Sequence, residues 1–213
     1  MMATLTSVIA VIAAYLLGSL SFAIIVSRFM GIEDPRTFGS GNPGATNVLR
    51  TGSKKAAILT LLLDALKGYV PVTIAIWLAP HLDWSAYTVP AVAIAAFAGH
   101  LYPLYFQFKG GKGVATSVGI LFAISGWLGL ATIGVWLVVA VITRYSSLAA
   151  LIAAVVAPIV YVVIARSSSS MPVLVAIIIL AVMLIYKHKQ NIKNLVEHKE
   201  SKIGQKKSEE DKE

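Results

Sequence analysis

The residues best suited to chemistry come first in GSGNPGATN, the stretch at 39–47. Its glycines have the Gly-x-Gly-x-x-Gly spacing of dinucleotide-binding loops, but those loops lie between a strand and a helix. An apolar segment of transmembrane character precedes this stretch, so we exclude a dinucleotide fold. Glycine N–H groups beside Ser40, Asn42 and Thr46 are instead suited to hold an oxyanion. The alternative is a flexible connector that caps the start of a helix.

A short helix that opens within this loop would bring a cation to the same anion. Thr46 and Arg50 are four residues apart and would share one face of such a helix. The Arg50 guanidinium would then be able to form paired hydrogen bonds with a phosphate. We therefore predict a short helix that begins at Ala45.

A second glycine cluster, KGGKG at 109–113, surrounds a lysine. It is not a nucleotide-binding P-loop, because aromatic residues stand where that motif has its first glycine and Gly113 replaces the Ser or Thr that would hold Mg²⁺. Lys112 remains a good point-charge partner for a phosphate. The alternative is that Lys112 only anchors a tight turn at the membrane surface.

Two further polar turns carry candidate ligands. The sequence RYSS at 144–147 supplies a cation and hydroxyl groups, and YKHKQN at 186–191 supplies cations, a histidine and amides. Taken singly, Lys187 and Lys189 are ordinary charges after a membrane span, and His188 at a membrane edge is more typical of a cap than of a catalyst. The occurrence of four such turns favours a shared anion-binding site.

The composition indicates what kind of scaffold carries these turns. Of 213 residues, 57% are apolar and 13% are charged, and the mean hydropathy is +0.79. Residues 1–27 contain no Asp, Glu, Lys or Arg, and such a run is long enough to cross a hydrocarbon core of about 30 Å. The chain has no cysteine, which excludes disulfides, thiolate ligands and thiolate nucleophiles. We therefore predict an integral membrane protein.

Charge-free runs predict seven transmembrane helices. The run 113–143 would form a helix of about 46 Å, too long for one span, so we divide it at Ser125–Gly126. The predicted helices are 4–27, 56–79, 86–107, 113–125, 127–143, 147–165 and 171–186. Seven spans place 16 of the 18 Lys and Arg residues on one side, which the positive-inside rule assigns to the cytoplasm. The predicted fold class is an all-α integral membrane protein with its N-terminus outside and its C-terminus in the cytoplasm.

Ionisable residues inside the predicted spans are few. Asp64 and Lys67 are three residues apart on one helix and are expected to pair, first as structural support. For His100 we favour a hydrogen-bonding role over a place in the site. Residues 1–186 hold ten basic and four acidic side chains, so the membrane body should attract anions. No His-x-x-x-x-Asp sequence occurs, which excludes the acid–base pair of acyltransferases that use acyl-CoA or acyl carrier protein.

Five segments, in order along the chain from the first helix to about Leu195, match one family. They are GSGNPGATNVLR (39–50), LLDALKGYVPV (62–72), GHLYPLYFQFKGGKGVAT (99–116), RYSSLAA (144–150) and YKHKQNI (186–192). These segments closely resemble the bacterial membrane glycerol-3-phosphate acyltransferases of the PlsY type. The resemblance implies a seven-helix enzyme that makes lysophosphatidic acid and phosphate from acyl phosphate and sn-glycerol 3-phosphate, with its active site facing the cytoplasm.

The resemblance also implies roles for single residues. The residues that would surround the acyl phosphate are Ser40, Gly41, Asn42 and Thr46. Those that would hold glycerol 3-phosphate are Arg50, Lys112, Ser147, His188 and Asn191, of which Arg50, Lys112 and His188 are the implied catalytic residues. Gln190 departs from the family, where a glutamate is expected, and this weakens any role for a carboxylate there.

This reaction suits the charge pattern of the chain. Phosphate is a good leaving group, so a site rich in cations and poor in acids supplies the orientation and charge stabilisation that the transfer needs. The glycerol hydroxyl must lose a proton, which we expect to pass to a substrate phosphate oxygen rather than to His188. Two alternatives are a transporter of small phosphorylated anions and a structural membrane protein with incidental basic turns.

The extent of these matching segments predicts the domain organisation of the chain. Residues 1–195 are predicted to form the acyltransferase domain, and 196–213 a charged tail that is disordered from Ser201 onward. We expect the protein in the bacterial inner membrane, with the lipid bilayer and the two substrates as partners. Neither a cofactor, a metal nor a nucleic acid is expected, and contact with the enzyme that makes acyl phosphate is left open.

Overall fold

The chain forms ten α-helices in the part that the structure, a computed structural model, describes, namely residues 2–166 and 170–204. They are α1 (Met2–Gly18), α2 (Phe22–Phe29), α3 (Ala45–Val48), α4 (Lys54–Leu78), α5 (Thr88–Leu101), α6 (Val114–Ile124), α7 (Gly126–Thr143), α8 (Ser146–Ala165), α9 (Met171–Lys187) and α10 (Lys189–Val196). Short 3₁₀ helices lie at Leu49–Thr51 and Leu104–Phe106. The described residues include no β-strand, so the predicted all-α class is confirmed.

Several helices are long and apolar enough to cross a membrane. Among the described residues four qualify by themselves, and up to six qualify if two bent pairs, α1 with α2 and α9 with α10, each count as one span. Large apolar side chains on α7 and α8, such as Val141 and Val163, are exposed where lipid tails would cover them. α6 has 11 residues and is shorter than the hydrocarbon core. The lengths and compositions of these helices agree with the predicted membrane protein, and the number of spans stays a prediction.

The structure divides the long apolar run 113–143 at the predicted place. α6 ends at Ile124, and Ser125 has extended backbone angles of φ −160° and ψ 126°. α7 then begins at Gly126. The prediction of two short helices in this run is therefore confirmed.

The predicted single helix 4–27 is wrong, because the chain leaves helical geometry after Gly18 and resumes in α2 at an angle of 45°. Gly18 lies so close to α5 that a Cβ there would overlap the carbonyl oxygen of Ala96. Within the break, the Nζ of Lys67 on α4 donates to the carbonyl of Leu20 at 2.6 Å. A buried ammonium thus satisfies a carbonyl that an unbroken helix would have satisfied internally.

Two other helix ends differ from the prediction. α5 ends at Leu101 and not at 107, because Pro103 has no N–H and disfavours a helical conformation at Tyr102, whose φ and ψ are −135° and 66°. α10 was not predicted, and it departs from α9 by 59° at His188. Both changes leave polar turns at the helix ends.

Glycine contacts bring α4 and α6 together and so fix the turn that precedes α6. A Cβ on Gly68 would overlap the carbonyl of Thr116, and a Cβ on Gly119 would overlap that of Ala65. Close backbone approach through small residues is the usual way in which membrane helices pack. Phe97, which is fully buried on α5, fills the centre of the neighbouring core.

A buried polar cluster links α4, α5 and α6. The Lys67 Nζ lies 2.8 Å from the Asp64 carboxylate, which confirms the predicted pair. The Nδ1 of His100 lies 3.1 Å from the Thr116 hydroxyl and 3.7 Å from the Asp64 carboxylate. All four side chains are buried. The cluster supports the second glycine turn, because the Gly111 N–H donates to the His100 carbonyl at 3.2 Å.

Candidate active site

The first glycine loop is organised by one buried side chain, Asn47, which is 2% exposed. Its Nδ2 donates to the carbonyls of Pro35 and Phe38 at 2.7 and 3.1 Å, and its Oδ1 accepts from the Ser40 N–H at 3.1 Å. Gly39 has a φ of +59°, a left-handed conformation that favours glycine. The loop therefore has a defined shape, which argues against a flexible connector.

The short helix predicted in this loop is present as α3, which begins at Ala45. Arg50 lies in the 3₁₀ turn that follows, and its Nη2 donates to the Ser201 hydroxyl at 2.7 Å. Thr46 is exposed and does not line the cavity described below. The structure thus brings Arg50 into contact with a distant segment and leaves Thr46 at the surface.

A cavity of about 380 Å³ opens beside the loop, and we name it the lysine cavity. Three of the four polar turns line it, through Ser40, Gly41, Asn42, Tyr102, Gly110, Lys112, Tyr186, Lys187 and Lys189. Three of these nine residues are lysines and none is acidic. Such a cavity has a positive potential that suits a phosphate group.

The second glycine turn positions Lys112 through close contacts with α5. A Cβ on Gly110 would overlap the carbonyl oxygen of His100, and a Cβ on Gly111 would overlap the imidazole ring. Gly113, with a φ of +84°, lies against the ring of Phe97. Only glycine fits these positions without displacement, so the backbone on both sides of Lys112 is held against α5.

Lys112 also has a distinctive electrostatic environment. Burial lowers the pKa of Lys112, the Glu200 carboxylate opposes this shift, and the Arg50 guanidinium adds to it. Within the described residues no carboxylate lies within 4.0 Å of the Lys112 ammonium. Lys112 therefore has no directly paired carboxylate among the described residues, and its ammonium is available to an anion.

A second group of polar residues meets at the start of α8 and along α10. The Oε1 of Glu200 accepts from the Ser147 hydroxyl at 2.6 Å and from the Asn191 Nδ2 at 2.7 Å. We name Ser147, Asn191 and Glu200 the Glu200 cluster. The structure thus unites two residues implied for glycerol 3-phosphate through Glu200, which the sequence analysis missed. Arg50, a third implied residue, bonds instead to Ser201, the neighbour of Glu200 in the chain. The one sequence signal for Glu200 was an acid in a mostly basic segment.

The segment 197–204 lies across this cluster. Ser201 accepts from Arg50, and the Ile203 N–H donates to the Arg144 carbonyl at 2.7 Å. The Arg144 Nη2 donates in return to the Ile203 carbonyl at 3.1 Å. The tail was predicted to be disordered from Ser201 onward. Ser201 and Ile203 instead make these contacts, and 205–213 lie outside the described residues.

His188 is buried at the bend between α9 and α10, with 2% of its surface exposed. Its Nδ1–H donates to the Leu184 carbonyl at 2.8 Å, which leaves Nε2 as an acceptor in the neutral ring. Burial lowers the pKa of His188 to about 4, and the positive charge of Lys112 acts in the same direction. Gln190, by contrast, is exposed and donates to Asn194 at 2.9 Å.

The site consequently has two adjoining halves. The first glycine loop forms one wall of the lysine cavity, and the Glu200 cluster contains the hydroxyl and amide donors. Lys112 and His188 connect them, because Lys112 lines the cavity and is influenced electrostatically by Glu200, and His188 by both Lys112 and Glu200. Over residues 2–166 and 170–204, no three His, Asp or Glu side chains are grouped so that they could hold a metal ion. The arrangement is able to hold two anionic groups side by side.

Comparisons with known proteins point to the same chemistry. The family model described as glycerol-3-phosphate acyltransferase matches residues 8–198. The glycerol-3-phosphate acyltransferase of Ralstonia nicotianae is 56% identical over 207 residues, covering 97% of this chain and 99% of the relative. That of Bordetella pertussis is 54% identical over 205 residues, covering 95% of this chain and 94% of the relative.

Solved structures are similar over the same extent. The crystal structure of PlsY, an integral membrane glycerol 3-phosphate acyltransferase, in its glycerol 3-phosphate form has a TM-score of 0.85 and 38% identity, with 93% of this chain and 96% of that chain covered. Its lysophosphatidic acid form has a TM-score of 0.84 and 37% identity. The chain therefore belongs to the glycerol-3-phosphate acyltransferase family and is an integral membrane enzyme of the PlsY type.

Proposed function

We propose that the enzyme transfers a fatty acyl group from acyl phosphate to sn-glycerol 3-phosphate and yields 1-acylglycerol 3-phosphate and inorganic phosphate. The observation that carries this proposal is the pair of adjoining anion sites that Lys112 connects. The reaction brings together two substrates that each carry a phosphate. The related PlsY has a glycerol 3-phosphate form and a lysophosphatidic acid form, which supports the same acceptor and product here.

We assign the acyl donor from how strongly the site is able to activate the acceptor hydroxyl. The chain has no His-x-x-x-x-Asp sequence, and His188 with a pKa of about 4 is a weak base. A poor leaving group would need stronger activation of the acceptor hydroxyl than this. The loop that contains Ser40, Gly41 and Asn42 instead borders a cavity suited to a bare phosphate. Acyl phosphate is the donor that both observations support.

The proposed step balances without a further reactant. The acceptor hydroxyl oxygen forms an ester bond with the acyl carbon, while the bond from that carbon to the bridging phosphate oxygen breaks. The electron pair leaves with the phosphate, whose charge is stabilised by Lys112 and the N–H groups of the first glycine loop. The hydroxyl proton passes to a phosphate oxygen, so the products are an ester and hydrogen phosphate.

The acceptor is assigned to the Glu200 cluster. Glu200 would hold Ser147 and Asn191 in place while the Ser147 oxygen and the second Asn191 N–H bind glycerol 3-phosphate, and Arg50 with Lys112 would bind its phosphate. His188 would accept a hydrogen bond from a glycerol hydroxyl through Nε2, which orients the nucleophile without removing its proton. Thr46 is the least supported of the residues proposed for the donor, since it lies outside the cavity.

We further propose seven spans, in which α6 is the short fourth one. The N-terminus then lies outside the cell, and all four polar turns lie at the cytoplasmic face of the bacterial inner membrane. This orientation places 16 of the 18 basic residues in the cytoplasm. Residues 1–195 form the acyltransferase domain, and 196–213 form a tail whose first part contacts the site.

A direct assay tests the proposal. Purified protein in detergent is given palmitoyl phosphate and glycerol 3-phosphate, and the release of phosphate and of lysophosphatidic acid is measured. We expect both products in equal amounts. Turnover of palmitoyl-CoA as fast as that of palmitoyl phosphate would contradict the proposed donor. Uptake of glycerol 3-phosphate into protein-containing liposomes without any acyl donor would instead favour the transporter alternative.

A further inference from the structure

Lys187 and Lys189 have no role in the reaction as derived above, although both line the lysine cavity. They flank His188 at the bend between α9 and α10. The sequence alone indicates lysines that end a membrane span, a role that does not depend on where their side chains point. In the structure both side chains line one cavity together with Lys112 and the first glycine loop, which indicates a more specific role.

The ammonium group of Lys187 is held in place by neutral partners. Its Nζ donates to the carbonyl of Leu101 at 3.0 Å and lies 4.6 Å from the centre of the Tyr102 ring. A carbonyl and an aromatic face orient an ammonium but do not neutralise it. An ammonium has three N–H donors, so two remain available to a ligand.

Within the described part of the chain, the lysines of the cavity have no carboxylate partner, unlike Lys67, which is buried deeper in the fold. Lys67 has the Asp64 carboxylate at 2.8 Å. Across residues 2–166 and 170–204, neither Lys112, Lys187 nor Lys189 has a carboxylate within 4.0 Å. Three cations that line one cavity repel each other, and an anion bound within it would remove that repulsion.

We propose that Lys187, assisted by Lys189, binds the phosphate group of the acyl donor and stabilises it as the leaving group. This inference rests on the proposed function and names two phosphate-binding residues in addition to those derived above. As the bond from the acyl carbon to the bridging oxygen breaks, that oxygen gains the electron pair, and a nearby ammonium lowers the energy of the growing charge. Inorganic phosphate, the product, occupies the same place before it leaves.

The residues that line the cavity indicate that it binds the acyl donor rather than the acceptor. Ser40, Gly41 and Asn42 form one wall. Ser147 and Asn191, the proposed acceptor ligands, do not line it and are bonded to Glu200 instead. A phosphate in the cavity would thus lie beside the acceptor site and not within it.

The test compares Lys187→Gln with Lys187→Arg in the purified full-length enzyme. Lys187→Gln should raise KM for palmitoyl phosphate, and the inhibition constant of inorganic phosphate, by about ten-fold or more, the scale of one charge-assisted hydrogen bond. KM for glycerol 3-phosphate should change by less than about two-fold, because the acceptor contacts remain. Lys187→Arg, which keeps the charge, should recover most of the lost affinity.

Lys193→Gln is the matched control, since Lys193 is an exposed lysine on α10 that lies 3.8 Å from Glu197 and outside the cavity. It should leave all three constants unchanged. A rise in KM for glycerol 3-phosphate alone in Lys187→Gln would overturn the proposal and assign the cavity to the acceptor. Equal constants in Lys187→Gln and the wild type would also overturn it and make Lys187 a simple anchor.

A second variant and a binding measurement keep the test decisive. If Lys187→Gln does not fold, Lys189→Gln replaces it, because Lys189 is exposed and its ammonium lies 5.4 Å from the centre of the neighbouring Tyr186 ring. Calorimetry with inorganic phosphate alone should show weaker binding to either variant than to the wild type. That result is independent of turnover, so a wild type without acyl-phosphate activity would refute the proposed function while phosphate binding still decides the role of Lys187.

Discussion

Lys112 is the residue that the two halves of the site share, since it lines the lysine cavity and lies within electrostatic reach of Glu200 and Arg50. We expect Lys112→Ala to lower kcat/KM by at least about 100-fold, the scale of losing one charge-stabilising donor. Lys109→Ala is the control, because Lys109 is an exposed lysine of the same turn that does not line the cavity. Near-full activity in a folded Lys112→Ala protein would show that the lysine only anchors the turn.

His188 makes a separate prediction at the residue scale, based on its acceptor Nε2. His188→Asn keeps a side-chain acceptor and should retain more activity than His188→Ala, with the defect mainly in KM for glycerol 3-phosphate. Removal of a general base would instead lower kcat by about 10² to 10⁴. A collapse of kcat at unchanged KM in both variants would contradict the binding role.

The pH dependence of His188 follows from its lowered pKa. Since the pKa is about 4 in the folded protein and 6.5 is the ordinary value, the folded state binds fewer protons than the unfolded state between these values. Stability should therefore fall as the pH drops from 6.5 towards 4, and His188→Asn should lose less Tm over that range. The ratio of wild-type to His188→Asn kcat/KM should stay flat from about pH 6 to about pH 9. A change in this ratio centred near the ordinary pKa of histidine would show that the ring titrates normally.

At the scale of elements, the turn between α5 and α6 depends on the absence of side chains. A Cβ on Gly111 would overlap the His100 imidazole, so Gly111→Ala must displace either the turn that carries Lys112 or the ring on which that turn rests. We expect a loss of activity of about ten-fold or more, because small displacements of catalytic groups are costly. Gly134→Ala on α7, where a Cβ meets no atom within 4 Å, is the matched control and should be active. Equal activity in the two variants would show that the turn tolerates displacement.

The segment after α10 is the second element that the site depends on. Glu200 accepts hydrogen bonds from Ser147 and Asn191, so Glu200→Ala should release both side chains and raise KM for glycerol 3-phosphate by about ten-fold. Glu197→Ala is the control, because Glu197 pairs only with exposed lysines among the described residues. Unchanged acceptor affinity in Glu200→Ala would mean that Ser147 and Asn191 are positioned by their own helices.

At the scale of the whole molecule, the orientation in the membrane can be measured because the chain has no cysteine. With seven spans, cysteines at Lys55 and Lys199 should be protected from an impermeant thiol reagent in intact cells. A cysteine at Ser85 should react, since it lies in the opposite turn before α5. Ser168, also predicted to face outward, lies outside the described residues. Labelling at Lys199 from outside would overturn the seven-span arrangement.

Much of the fold follows from local rules that the sequence contains. The break at Ser125–Gly126 was predictable because a helix has a fixed rise and a bilayer a fixed thickness. The Asp64–Lys67 pair was predictable because unpaired charges are costly in lipid and residues three apart share a helix face. The turn of α3 at Ala45 followed from the residue types of its loop.

Other features depend on contacts between residues far apart in the chain, and no local rule contains them. Leu20 leaves helical geometry where Lys67 from another helix meets its carbonyl, and Glu200 reaches Ser147 across 53 positions of sequence. From the sequence Lys187 is interpreted as a charge that ends a membrane span, whereas in the folded protein it donates to the carbonyl of Leu101. The sequence alone determined the membrane class, the polar turns and their cations, because solvation and helix geometry act locally. Only the tertiary structure decided which cations share a cavity and which carboxylate meets the acceptor residues, because those distances are set by how the helices pack.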